Sequence, residues 1–68
     1  MRLLKIRDVS FMTGLSRATI SRSVKAGIFP RHVILTEKRI GWFEDEIIAW
    51  MESLRQKRDQ DVTRDLNK

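Results

Sequence analysis

The spacing of apolar positions changes along the chain, and each change marks an element. Ile6, Val9 and Met12 fall three apart and predict a short first helix over about Arg7 to Met12, with Asp8 in the first turn, where the helix dipole favours an acid. Thr13-Gly14-Leu15 reads as a tight turn in which Gly14 supplies a backbone conformation that other residues dislike. Ser16 has the hydroxyl of a good N-cap, and Leu15 and Ile20 stand at the spacing of a hydrophobic staple around it. Gly27 and then Pro30 end what begins there, so the second helix is Arg17 to Ala26 with Ile20 and Val24 on its inner face. Val9, Met12, Leu15, Ile20 and Val24 would join the two helices as a helix-turn-helix. Phe11 lies off that seam and is expected to pack against the C-terminal helix.

After Gly27 the period shortens. Ile28-Phe29-Pro30 predicts a loop carrying two apolar side chains back to the core, and Val33-Ile34-Leu35 and Ile40-Gly41-Trp42 are β-favouring runs. They predict a hairpin with the four-residue loop Thr36-Glu37-Lys38-Arg39, Lys38 and Arg39 at its tip. From Glu44 or Asp45 to about Lys57 the helical period returns, with Ile47, Trp50, Met51 and Leu54 as an apolar stripe and Ile48 on its flank. Glu44, Asp45 and Glu46 at the start of this third helix, and Arg55, Lys57 and Arg58 at its end, are explained by the helix dipole. Beyond Arg58 the apolar period is lost. Residues 59–68 are expected to be a polar, frayed or disordered tail, leaving residues 1–58 as one domain.

Charge gives this pattern a direction. Up to Phe43 nine Lys and Arg stand against Asp8 and Glu37, whereas the remainder holds five against seven. Between Asp8 and Glu37 there is no acid, and the second helix lies wholly inside that gap. Opposite Ile20 and Val24 its outer face carries Ala18, Ser21, Arg22 and Lys25, with Arg17 near the start: small residues that let a backbone come close, and cations that reach base edges or phosphates. An ordinary solvated helix shows charged outer faces too. A polyanion is nevertheless the natural partner of so one-sided a distribution, and beside such a helix a basic hairpin tip becomes a wing touching phosphates.

Composition removes other classes. Sixty-eight residues with no cysteine and a single histidine, His32, allow one small core, no disulfide and no thiolate metal site. There is no Gly-rich phosphate loop and no nucleophile-base pair, so an enzyme is not expected, nor any cofactor or metal. The longest apolar run, Ile47 to Met51, is far too short for a signal peptide or membrane span, and a cytoplasmic, nucleoid-associated setting is the simplest fit.

Taken in order, Ile6, Val9, Thr13-Gly14-Leu15-Ser16-Arg17, Thr19-Ile20, Arg22, Lys25-Ala26-Gly27 and Phe29-Pro30-Arg31, followed by Val33, Leu35, Trp42, Glu46-Ile47 and Trp50, form a pattern that resembles the AlpA family of small phage and prophage regulators. The match covers about Leu3 to Leu54. It departs at Ser21, where the family often has an aromatic residue, at Ser23, where a larger apolar one is common, and in the hairpin loop, which is commonly Gly-rich. The resemblance implies a mostly helical α+β fold: a winged helix-turn-helix, MerR-like or excisionase-like, with three helices and one short β-hairpin wing. It also implies DNA binding, through Ser16, Arg17, Ala18, Thr19, Ser21, Arg22, Lys25, Lys38 and Arg39, in regulating an integrase or neighbouring gene or in directing excision, with an integrase as a further partner. A monomer that binds cooperatively at neighbouring sites is expected, because the third helix spends its stripe on the core. The alternative is a protein-binding module that meets an integrase or other partner without strong DNA affinity, using Phe11 and the acidic side of the third helix.

Overall fold

The computed structural model describes residues 1–60 and shows a winged helix-turn-helix of three helices and a three-stranded antiparallel sheet. In chain order these are β1 (Leu3–Leu4), α1 (Ile6–Thr13), α2 (Arg17–Ala26), β2 (Val33–Thr36), β3 (Arg39–Phe43) and α3 (Glu44–Gln60). The helix-turn-helix precedes the β2–β3 hairpin, and α3 closes the core from the far side of the chain.

Helix α1 extends one residue beyond the expected span at each end. Its start is fixed by the Asp8 carboxylate, which accepts from the Lys5 amide at 3.1 Å, and its end by Gly14, whose amide donates to the Ser10 carbonyl and whose φ of 77° turns the chain out of the helix. The following turn is held by side chains. Ser10 Oγ donates to the Leu15 carbonyl at 2.6 Å and Thr13 Oγ1 to the Val9 carbonyl at 2.8 Å, while the Leu15 amide donates to Thr13 Oγ1. The two bonds to Leu15 satisfy backbone groups that the turn would otherwise leave open, and the bond to Val9 orients the Thr13 hydroxyl that makes one of them.

Sheet order is β1-β3-β2, with Leu3 opposite Phe43, Leu4 opposite Trp42, Val33 opposite Gly41 and Ile34 opposite Ile40. Strand β1 is not visible in the sequence pattern: two leucines show no alternation. It exists because β3 offers an edge, and the Glu44 amide extends the pairing by donating to the Arg2 carbonyl at 2.7 Å. The hairpin is tighter than the expected four-residue loop. Thr36 pairs with Arg39, only Glu37 and Lys38 form the turn, and Leu35 is an extra residue without a partner in β3. Neither turn residue takes a positive φ. The primed two-residue turns are therefore excluded, and the bulge accommodates the resulting mismatch with strand twist.

Gly41 sits where β1, β2 and β3 meet. A Cβ there would lie 3.2 Å from the Leu4 carbonyl oxygen and 3.2 Å from Leu35 Cδ1. Leu35 can move, but the β1 backbone cannot without losing its pairing. Gly41→Ala is expected to cost about 1–3 kcal/mol of stability, the range for overpacking, read as a lowered midpoint in urea with an unchanged slope.

Leu4, Val9, Ile20, Phe29, Trp42 and Ile47 form the buried core, and Ile6, Met12, Leu15, Val24, Trp50 and Met51 pack around it. Every helix and two of the strands contribute. Phe29 lies edge-on to Trp42 and Trp50, with ring centroids 6.5 and 4.6 Å away. Each indole also closes a loop carbonyl, Trp42 Nε1 donating to Pro30 at 2.8 Å and Trp50 Nε1 to Ile28 at 2.9 Å.

Three expected burials do not occur. Phe11 does not pack on the C-terminal helix: it is 90% exposed, because α1 turns only its Val9 and Met12 side toward α2 and the core. Ile28 enters the structure through its backbone, its amide on the Ser23 carbonyl and its carbonyl under Trp50, while its side chain points outward. Leu54 is exposed too, because α3 outruns the core after Met51. That helix continues past Lys57 through Gln60, taking Asp59 and Gln60 out of the expected tail. The rest of that segment, 61–68, lies outside the described residues.

Candidate nucleic-acid interface

Helix α2 has the span and ends that the sequence predicts. The Thr19 amide donates to Ser16 Oγ at 3.1 Å, which completes the N-cap, and Gly27 at φ 79° donates back to the Ser23 and Val24 carbonyls. Ile20 is fully buried and Val24 packs beside it, which fixes the rotation of the helix. Two ridges of i, i+4 residues are thereby turned outward. Ala18 and Arg22 form the outer one, and Arg17, Ser21 and Lys25 form the one nearer the hairpin.

All candidate residues on α2 except Thr19 are exposed. Thr19 is half-buried at the centre of a small polar chain: its Oγ1 accepts from Ser16 Oγ at 2.9 Å and from Arg22 Nη2 at 3.3 Å. Ser16 and Thr19 therefore organise the start of the helix, and Arg22 lies along it, its guanidinium held only by a long bond to a neutral hydroxyl that an anionic or bidentate acceptor can replace. Ser16 also marks the N-terminus of a ten-residue helix whose first turn contains no acid, so the macrodipole adds to the positive field of Arg17.

On the hairpin, Lys38 lies in the turn itself and Arg39 is the first residue of β3. Both are exposed. Among the described residues the ion pairs within 4.0 Å are Arg2 with Glu44, Arg55 with Glu52 and Arg58 with Asp59. None involves Arg17, Arg22, Lys25, Lys38 or Arg39. The cations of α2 and of the wing thus project their charge without compensation, whereas those of α3 are largely neutralised by its own acids.

Between α2 and the hairpin runs an open groove of about 310 Å³, bordered by Arg17, Ser21 and Lys25 and floored by Val24, His32 and Ile40 among others. Sequence reasoning did not find its floor. Ile40 is recognisable as a strand residue, but its facing α2 depends on the tertiary placement of the hairpin, and His32 lies in the loop leading into β2, its ring 5.6 Å from that of Trp42. Among the described residues no group of three or more His, Cys, Asp or Glu is arranged to hold a metal ion, and no helix is long and apolar enough to cross a membrane.

Residues 2–56 match the family described as prophage CP4-57 regulatory protein (AlpA). The chain is also similar to an uncharacterized protein, ORF88, of Enterobacteria phage P4, at 40% identity over 50 residues. That alignment covers 74% of this chain and 57% of the phage protein, so the chain spans little more than half the length of that relative.

Proposed function

This chain belongs to the AlpA family of prophage regulatory proteins, and from that premise we propose that it acts by binding duplex DNA sequence-specifically, α2 entering the major groove and the hairpin resting on adjacent phosphates. The observation that carries the reading is the outward face of α2: Ala18 and Arg22, then Arg17, Ser21 and Lys25, with no acid and with uncompensated cations. Arg22 reads base edges. Arg17 and Lys25 hold phosphates, Ser16 presents the helix N-terminus to another, and Lys38 and Arg39 supply the wing contacts.

The regulated target is an integrase promoter or neighbouring gene. The same surface serves a recombination directionality factor, and what differs is where the sites lie, at promoters or clustered on attachment-site arms. Such a protein works in the cytoplasm on nucleoid DNA and is no enzyme. One short helix and one wing contact few base pairs, so a single copy binds modestly and several neighbouring sites raise occupancy through effective concentration. Neighbouring copies, or an integrase, would meet through exposed apolar side chains such as Phe11. That residue's exposure is the one observation favouring the second reading, a module that binds a protein partner without strong DNA affinity.

Salt separates the two. A duplex selected by the full chain from a random-sequence pool should bind with log K falling against log salt at a slope of about −4 to −5, the value for some five neutralised phosphates. Lys25→Ala should weaken selected and unselected duplexes alike, by similar factors, and make the slope shallower by about 0.9. Loss of affinity confined to the selected duplex would instead place Lys25 on a base.

A further inference from the structure

Ile34 and Ile40 face each other across the β2–β3 pair and so share one side of the hairpin. Ile34 is 75% exposed and Ile40 42%. Trp42, two residues beyond Ile40 on the same side, is core, so the apolar side of the sheet continues past the edge of the core toward the wing tip. Solvated hairpin tips are usually polar or charged. This one places two isoleucines beside a turn that is itself charged.

The surroundings of Ile40 are cationic on both sides, and Ile34, its pair partner, carries the same apolar side of the hairpin further outward. Ile40 lines the groove bordered by Arg17 and Lys25, and also a second hollow together with Lys5, Lys38 and Arg39. No acid lines either hollow. An apolar floor between cationic rims fits the chemistry of a nucleic-acid strand, in which the C–H faces of deoxyriboses alternate with phosphates. A second copy of the chain would bring its own positive charge to the same place, and charge complementarity therefore selects the strand.

We propose that the groove between α2 and the hairpin seats one strand of duplex DNA, with Ile34 and Ile40 packed on its deoxyriboses and Arg17 and Lys25 holding the phosphates on the α2 side. The assignment rests on the DNA-binding reading above and adds a contact that is apolar, insensitive to salt and made by residues outside the basic set. It also gives the wing a firm seat on the strand between the major groove and the next groove, which is where a bend would be imposed.

The test uses the full chain and the selected duplex, with Ile34→Thr alone and with Ile40→Thr added. Threonine keeps the β-branch, and the exposed position of Ile34 leaves the melting temperature of the single variant unchanged. Hydroxyl radicals cut DNA by attacking deoxyribose C–H bonds, so the wild-type chain should protect a short run of sugars on one strand beside the site. Ile34→Thr should reduce that protection and the double variant should abolish it, with about a tenfold loss of affinity, the amount expected from burying two partly exposed apolar side chains. The salt slope should stay parallel to wild type, since no phosphate contact is removed. Unchanged protection and affinity in both variants would overturn the proposal. So would a loss confined to cooperativity between adjacent sites with single-site affinity intact, which would make the isoleucines a contact between copies. A wild-type chain that bound no duplex would overturn the DNA reading itself, and this inference with it.

Discussion

Trp42→Ala is expected to leave little of the chain folded at room temperature. The indole is 2% exposed, packs edge-on against Phe29 and closes the Pro30 carbonyl through Nε1, so its removal empties the centre of the core and orphans a loop carbonyl at once. Deleting a buried tryptophan side chain costs about 3–5 kcal/mol. A domain of this size has a total stability of about 3–9 kcal/mol, taking about 0.05–0.15 kcal/mol per residue. The loss therefore consumes most or all of it. Trp50→Ala, which removes a half-buried ring and the bond to the Ile28 carbonyl, should fall in the same range but toward its lower end. Thermal melts followed by near-ultraviolet circular dichroism check both. Variants that kept the wild-type melting temperature but lost DNA affinity would turn the indoles from packing groups into stacking groups.

Arg22→Ala should leave the fold intact and cost about 1–3 kcal/mol on the selected duplex while flattening base preference. Its side chain is exposed on the outer ridge of α2, one turn beyond Ala18, whose small size would let the helix backbone approach a groove floor on the proposed reading. In the free protein Arg22 donates to Thr19 Oγ1 at 3.3 Å. A guanine edge offers two acceptors to the same guanidinium, so on the proposed reading binding would exchange one weak bond for a bidentate pair. Arg22→Lys keeps the charge and loses the fork. It should hold unselected DNA as wild type does and still lose most of the preference at the base concerned. Competition with single-base variants of the duplex measures this, and a uniform loss across all variants would reduce Arg22 to a phosphate contact.

Helix α2 was legible to the residue because its information is local: Ser16, Gly27 and the staple act within the helix and its flanks. The two tryptophans and Ile47 were legible for a related reason, since the i, i+3 period of α3 and the β-run before it place them inward. Elements held by partners distant in sequence were not. Strand β1 is two leucines that pair only because β3 passes beside them, and the tight hairpin turn depends on the bulge at Leu35. Phe11, Ile28 and Leu54 were misread because burial is a one-way rule. Buried residues are mostly apolar, but a large apolar residue is not thereby buried. The exposed cations of the candidate interface, unpaired among the described residues, could be read from the acid-free stretch between Asp8 and Glu37. The apolar floor between them could not, because it arises only where α2 and β3 come to face each other.

The most direct measurement of the central claim is the binding of the full chain to fragments spanning an element's attachment site and integrase promoter, followed by anisotropy across a salt series. Saturable binding to particular fragments, with a slope of about −4 to −5 in log K against log salt and with preference lost in Arg22→Ala, is the predicted result. Absence of binding to any fragment at low salt, or binding whose strength ignores both salt and Arg22, would contradict it.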